Sequence, residues 1–211
     1  MKGQFFIIAA IITILILVLI KTNTQIGKII ETKRYVEANL ESKELVNVEE
    51  QLEKVLSYSF NKNIFSNAKK FLRYAKLSFF GRGKELKILS IANKYENAVA
   101  SAANTLEVEI LNLLDTTISQ LNVSFSYDFT QNKTFENVEE NETISTTFTF
   151  SFTVPDNYTL YVTYLTPSEQ KTYSVRIPIE EGSKFVGYFD IRLEGLVSKN
   201  EDEMRVEVEI K

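Results

Sequence analysis

Residues 147–154 read TFTFSFTV, and this stretch decides how the second half of the chain folds. Its aromatic and apolar residues fall at every second position, which is the period of a β-strand with one buried face. Five further segments show the same alternation or fit a strand: 123–129, 158–165, 173–179, 185–193 and 204–210. Turn-forming Pro, Asn, Asp, Gly and Ser residues lie between them. Six strands with short connections predict an antiparallel β-sandwich.

Upstream of these strands the apolar residues recur at spacings near three and four, which predicts helices. The first helix runs from about residue 22 past Leu56, and the second spans residues 64–80. The pattern predicts a third helix from Lys84 to about Gln120. The two glycines of Gly81-Arg82-Gly83 can take the positive φ angles of a tight turn, so we expect a helical hairpin turn near 81–83.

An apolar run opens the chain. Residues 5–20 contain Thr13 as their one polar residue, with Lys2 before the run and Lys21 after it. The hydrocarbon core of a bilayer is about 30 Å thick and requires roughly 20 apolar residues. This run covers only about 24 Å as a helix. We therefore expect Lys21 to snorkel to the headgroups, which lengthens the buried span. The competing interpretation is a removed signal peptide, but no small-x-small cleavage site follows the run.

These patterns divide the chain into three regions. Residues 1–21 form a short leader and transmembrane anchor, residues 22–120 form a helical region, and residues 121–211 form the β-sandwich. The predicted fold class is therefore α+β: a transmembrane helix that continues into a helical stalk or hairpin, followed by an antiparallel sandwich.

The chain begins with Lys2-Gly3-Gln4 directly before the apolar run. This start resembles archaeal type IV pilin-like precursors, whose short basic leader ends in Gly and is followed by Gln and a hydrophobic helix. The resemblance implies cleavage between Gly3 and Gln4 and assembly with copies of the chain or with pilus or envelope partners. The Ser and Glu that many of these pilins carry are replaced here by Phe6 and Ile8, so the resemblance supports cleavage more directly than polymerisation. The alternative is an ordinary single-span anchor.

We call the part of the chain after the anchor, residues 22–211, the body. Two opposing signals predict the side of the membrane on which it lies. Lys and Arg residues are more frequent after the apolar run than before it, which favours a cytoplasmic body. The leader-like start and four glycosylation sequons favour an extracytoplasmic body, and we adopt this second interpretation. The sequon asparagines are Asn122, Asn132, Asn141 and Asn157.

Composition limits the chemistry that the chain can perform. It contains no Cys and no His, so thiolate metal sites and the commonest general base are excluded. The net charge of −4 disfavours nucleic acid as a partner. The lipid bilayer is the partner that the sequence predicts, and we expect neither an enzyme nor a bound cofactor or metal.

Several motifs could suggest a ligand, and for each a plainer explanation is favoured. Gly81-Arg82-Gly83-Lys84 lacks the spacing of a phosphate-binding loop. The acidic clusters 139–142 and 180–181 lack the spacing of a calcium loop, which favours solvated turns. Three tyrosines at 158, 161 and 164 could stack on sugars, but alternation places the middle one on the opposite face.

A basic segment between residues 62 and 94 contains four aromatic residues: Phe71, Tyr74, Phe79 and Phe80. This segment could bind anionic headgroups. We favour the alternative that it pairs with the acidic first helix while the aromatic residues fill a core between helices. Together these observations predict a membrane-anchored surface protein with a structural role, as a pilin-like subunit or accessory envelope component. The alternative is a tethered binding module for a partner protein or a glycan.

Overall fold

A computed structural model describes the backbone of residues 2–59, 64–96, 104–126, 130–150, 158–177, 183–194 and 199–210. Side chains are described for residues 19–59, 64–94, 105–126, 130–150, 158–177 and 185–194. The described residues form two helices and nine strands. The helices are α1 (Lys2–Ser57) and α2 (Ile64–Phe80). The strands are β1 (Glu85–Glu96), β2 (Asn104–Leu113), β3 (Ile118–Ser126), β4 (Thr130–Val138), β5 (Thr143–Phe150), β6 (Tyr158–Leu165), β7 (Gln170–Ile177), β8 (Ser183–Glu194) and β9 (Lys199–Ile210).

The strands form two antiparallel sheets. Sheet I has the order β5-β2-β1-β8-β9, and sheet II has the order β4-β3-β6-β7. Each strand pair runs antiparallel, and β1 lies at the centre of sheet I between β2 and β8. The predicted α+β class, with its antiparallel sheets, is therefore confirmed. The predicted bounds of the strand over residues 158–165 also match β6.

Two hydrophobic cores divide the protein into three layers. Sheets I and II pack face to face through one core, which includes Ile91, Phe148 and Val162. The opposite face of sheet I packs against the helices through a second core, which includes Leu52, Leu72 and Ile191. Sheet I is thus the middle layer, and its central strand is buried on both sides.

The predicted third helix, from Lys84 to about Gln120, is wrong. Strands β1 and β2 occupy most of this segment. Residues 88–93 are all buried because β1 contacts helices on one face and sheet II on the other. A strand that is buried on both faces loses the period-two alternation that marks a one-sided strand. Its continuous apolar run can then be mistaken for a helix.

Residues 130–142, between the predicted strands 123–129 and 147–154, are predicted to form the longest loop, but the structure differs. Strand β4 occupies residues 130–138, and a tight turn follows at residues 139–142. This strand lies at the edge of sheet II, and only Val138 is classed as buried in it. An edge strand with so little buried surface carries no apolar alternation by which to predict it.

The Gly81-Arg82-Gly83 turn is present, but it leads from α2 into a strand rather than into a third helix. Gly83 has φ of 72°, and its N–H donates to the Phe80 carbonyl at 3.0 Å. The Lys84 N–H donates to the Phe79 carbonyl at 3.1 Å. This pair of bonds is a Schellman helix cap, in which glycine supplies the left-handed residue. The motif therefore ends α2, which agrees with a turn and not with a phosphate loop.

Helix α1 is continuous from Lys2 to Ser57. Among its described side chains, those of Leu45, Val48, Leu52 and Leu56 in its last part pack in the core with the other layers. Along the helices whose side chains are described, no stretch is both long and apolar enough to span a membrane. The described side chains begin at Leu19. Most of the apolar run 5–20 and the predicted processing site at Gly3 and Gln4 therefore lie outside them.

Candidate functional site

Helix α1 has an exposed stretch between the apolar run and the part that packs on the other layers. We call residues 19–40 the stalk, since none of these residues is classed as buried. The stalk covers about 32 Å at the usual helical rise. Most of the stability of a protein helix comes from packing of one apolar face rather than from intrinsic propensity, so the apolar residues of the stalk indicate where a partner would lie.

An apolar stripe follows one side of the stalk. The stalk stripe, defined as Leu19, Ile26, Ile29, Val36 and Leu40, has spacings of seven, three, seven and four residues, and each side chain is about half exposed or more. These spacings place all five on one face of a helix, as in a coiled-coil seam. Lys33 lies within the seam and forms an ion pair with Glu37 at 3.6 Å.

The stalk stripe ends where the packed part of α1 begins. The next positions on the same face are polar, namely Glu44, Asn47 and Gln51, and they line a groove between α1 and α2. The side of α1 that packs on the sheet starts at Glu41 and continues through Leu45. The apolar stripe therefore belongs to the part of the helix in which no described side chain is buried.

Helix α2 carries a second exposed apolar feature. We call Tyr74, Leu77 and Phe80 the α2 ridge, because they form a row on its outward side and are 70–75% exposed. Three exposed basic residues flank the row: Lys70, Arg73 and Arg82.

The predicted pairing of the basic segment with the acidic first helix is confirmed at one end of α2. Lys84 contacts Glu44 and Glu41 on α1, and Arg82 lies 3.5 Å from Glu44. Burial raises the pKa of Glu41, and the nearby Lys84 opposes this shift. The prediction that all four aromatic residues fill a core is wrong for two of them. Phe79 is buried and Phe71 packs against the core, whereas the outward positions of Tyr74 and Phe80 leave both exposed.

A buried ionic cluster connects the two sheets. Arg192 on β8 donates to Asp190 at 2.8 Å, to Glu169 at 2.6 Å and to the Tyr164 hydroxyl at 2.8 Å. Tyr173 on β7 also donates to Asp190. Glu169 lies in the β6–β7 turn, so the cluster joins sheet I to sheet II.

Charge and burial shape the titration of this cluster. Burial alone would raise the pKa of Asp190, but hydrogen bonds from Arg192 and Tyr173 outweigh it and hold the pKa below the ordinary value. Glu169 behaves in the same way, with Tyr164 and Arg192 as its donors. Burial and the bond to Asp190 raise the pKa of Tyr173. The cluster is thus a set of satisfied charges with no activated nucleophile, and removal of one partner would leave a buried charge uncompensated.

Sequence reasoning missed this cluster, although a signal for it exists. Asp190 and Arg192 are two residues apart in the otherwise apolar run FVGYFDIRL, so both lie on one face of a buried strand. Charged residues in such a position require partners. The identity of those partners depends on the opposite sheet.

The sequon asparagines lie in different surroundings. Asn132 is exposed on the edge strand β4, and Asn122 is half-buried on β3 beside it. Asn141 is exposed in the β4–β5 turn with φ of 64°, and its carbonyl accepts a hydrogen bond from Arg73. Asn157 lies outside the described residues.

The remaining candidate ligands have structural roles or stay untested. Glu140 pairs with Lys76 at 2.8 Å, and a Glu142 carboxylate oxygen accepts from the Glu139 N–H at 2.8 Å. No group of three potential metal ligands occurs in the part of the chain that is described. Tyr161 is exposed while Tyr158 and Tyr164 are buried, as alternation predicts. The Glu180–Glu181 pair falls outside the described ranges.

Comparison of the chain with protein families, with curated proteins and with solved structures finds no match.

Proposed function

We propose that the protein is a membrane-anchored structural component of the cell surface, a pilin-like subunit or accessory envelope component that assembles through α1. The observation that carries this proposal is the stalk stripe, which runs along an exposed helix and ends where that helix meets the body. In the proposed arrangement, the apolar run 5–20 lies in the bilayer and the body lies outside the cell.

The anchor follows from the continuity of α1. The helix that contains the apolar run is the same helix that packs on sheet I through Leu45 and Leu52. A chain held in the bilayer by residues 5–20 would therefore present its body on a helical extension. Cleavage after Gly3, as in pilin-like precursors, would leave Gln4 as the first residue and keep the whole apolar run.

A second copy of α1 is the occupant that suits the stalk stripe. The stripe requires a long helix with a matching seam, and α1 of another copy supplies one of the same length. Apolar residues exposed at heptad spacing are buried efficiently when two such helices lie side by side. Lys33 and Thr22 interrupt the seam, and polar residues at such positions help to set register.

Cysteine cross-linking tests this assembly directly, since the chain contains no native cysteine. Ile29→Cys and Val36→Cys place a thiol in the stalk stripe. Tyr35→Cys is the matched control, because Tyr35 is 71% exposed but lies outside the stripe. We expect oxidation of native membranes to give covalent dimers for the two stripe variants and few for the control. Equal cross-linking of all three, or none for the stripe, would contradict the proposal.

Processing and orientation are tested separately. Intact mass measurement of the native protein should show Gln4 as the N-terminus, and a retained Met1 would contradict the pilin-like assignment. A Tyr58→Cys variant, exposed at the end of α1 that is remote from the anchor, should react with an impermeant maleimide on intact cells. Protection in intact cells and labelling after lysis would place the body in the cytoplasm.

A second candidate function, a tethered module that binds a neutral glycan, is favoured by the outer face of sheet II. Among its described outward positions, Glu136 and Arg176 are the charged residues and Tyr161 is the exposed aromatic one. Apart from the exposed Leu165, the rest is a surface of hydroxyl and amide groups, which can bond to sugar hydroxyls. Tyr161→Ala should weaken retention on neutral polysaccharides, with Tyr58→Ala as the control; unchanged retention would contradict this candidate.

A further inference from the structure

The α2 ridge is left unused by assembly through the stalk. Its three side chains are the most exposed apolar residues of α2, and they face away from both hydrophobic cores. We propose that, in the unassembled subunit, the α2 ridge is a second contact with the anionic surface of the bilayer that anchors α1. This inference rests on the proposed anchor. It adds a second membrane-contacting surface, the α2 ridge, and a conformation of the subunit before assembly.

The chemistry of the ridge suits a lipid surface. Tyr74, Leu77 and Phe80 offer aromatic and aliphatic groups of the kind that insert at the level of the headgroups. The flanking Lys70 and Arg73 are exposed and can attract anionic headgroups. The ridge thus combines apolar insertion with a basic border along one helix.

Charge decides between a bilayer and another copy of the stalk as the occupant. The stalk carries four basic residues, Lys21, Lys28, Lys33 and Arg34, against the acidic Glu31 and Glu37. Placing it on the basic ridge would bring like charges together, whereas an anionic bilayer complements both surfaces. The bilayer is therefore the occupant that the surface favours.

The ridge can reach the bilayer only if α1 bends. Arg82, beside the ridge, contacts Glu44, which lies 23 residues after Lys21. An upright helix would hold this contact about 35 Å from Lys21. Bending close to the anchor would lay the remainder of α1, and the helix layer with it, along the membrane surface.

Residues 24–32 provide a place for this bend. No atom lies within 4 Å of the position that a Cβ on Gly27 would occupy, so packing does not require glycine there. The hydroxyls of Thr24 and Thr32 donate to the carbonyls of Ile20 and Lys28, each at 2.8 Å. Glycine weakens a helix, and hydroxyl bonds of this kind tend to bend one. The three residues together form a hinge just beyond the predicted anchor.

The stalk stripe and the ridge face the same side, as the bend requires. The groove that continues the face of the stripe is lined by Asn47 and Gln51 on α1 and by Tyr74 on α2. When α1 lies down on this side, Val36 and Leu40 would meet the bilayer together with the ridge. Assembly that covers the stripe with another helix would then release the body from the surface.

Fluorescence quenching in reconstituted vesicles tests the proposal. The full chain carrying Leu77→Cys, labelled with an environment-sensitive dye, is placed at low density in phosphatidylglycerol vesicles that contain brominated acyl chains. We expect quenching by the lipid bromine atoms at residue 77, with loss of quenching in phosphatidylcholine vesicles and at high salt. Tyr58→Cys, at an exposed position outside the ridge, is the labelled control and should remain unquenched.

Hinge variants separate bending from simple attraction. Gly27→Ala should reduce quenching at residue 77 because alanine strengthens the helix at the hinge. Ser42→Ala is the matched control, an exposed α1 position outside the hinge, and should leave quenching unchanged.

Flotation of the chain with the vesicles is measured first. Chains that do not float would overturn the anchor and this inference with it. Chains that float but show no quenching at residue 77 would overturn this inference alone. A spectral shift at residue 77 that grows with protein density, without quenching by the lipid bromine atoms, would assign the ridge to another copy and would also overturn this inference.

Discussion

Replacing Arg192 by methionine tests whether the buried ionic cluster stabilises the packing of the two sheets. Arg192→Met keeps an unbranched side chain of similar volume but removes the donors to Asp190, Glu169 and Tyr164. Asp190 is completely buried, and its carboxylate keeps Tyr173 and Lys171 as partners. Removing one side of a buried ion pair costs about 3–5 kcal/mol, and the two remaining partners lead us to expect about 3 kcal/mol.

Urea unfolding of the full chain in mild detergent, followed by circular dichroism, measures this loss. Arg176→Met is the matched control, since Arg176 is exposed on the outer face of sheet II, and it should change the free energy of unfolding by less than about 0.5 kcal/mol. If Arg192→Met costs no more than the control, the argument that this cluster holds the sheets together is refuted.

The pH dependence of the same variant supplies an independent check. In the native protein, Asp190 and Glu169 have lowered pKa values, so they contribute stability above the unfolded carboxyl pKa near 4 and lose it as pH falls through the folded pKa. In Arg192→Met, the desolvated Asp190 should have a raised pKa, so its penalty disappears on acidification. The stability difference between the two proteins should therefore shrink as pH falls from 7 to about 4.

Three further substitutions test local packing, each by the same unfolding measurement. Gly83→Ala should destabilise by about 1–2 kcal/mol because alanine is strained at φ of 72°, whereas Gly27→Ala, in an open helical position, should be neutral or stabilising. Asn112→Ala should cost about 2–3 kcal/mol, since its buried side-chain amide donates to three carbonyls of two turns. Gly187→Ala should cost about 1–3 kcal/mol, because the new methyl would lie 2.5 Å from the Phe189 ring. Unchanged stability in the Gly83, Asn112 or Gly187 variant would contradict the argument made for that position.

Because the chain contains no cysteine, the ionic cluster takes the place that a disulfide could have between the two sheets. The chain cannot hold its two sheets together with a disulfide, and the cluster supplies a specific polar connection between them in addition to apolar packing. Its partners come from β8, β7 and the β6–β7 turn, so it also fixes the relative position of these elements.

Several features of the protein could be predicted from the sequence because they depend on local pattern. Period-two alternation predicted β6 to the residue, since Tyr158 and Tyr164 face the core while Tyr161 faces solvent. Glycine between α2 and the next segment predicted a turn, because Gly83 can take a positive φ at little cost. Spacings of three and four predicted α1 and α2, since α2 and the last part of α1 each bury one face.

Other features were decided only by tertiary structure. Strand β1 contacts two layers at once, so no face remains polar and its sequence loses the signature of a strand. The partners of Arg192 lie on a different sheet, which no local pattern specifies. The exposure of Val36 and Leu40 depends on where the body stops contacting α1. The sequence by itself determines which faces are apolar, and tertiary packing decides which of those faces are covered within the chain and which remain for a partner.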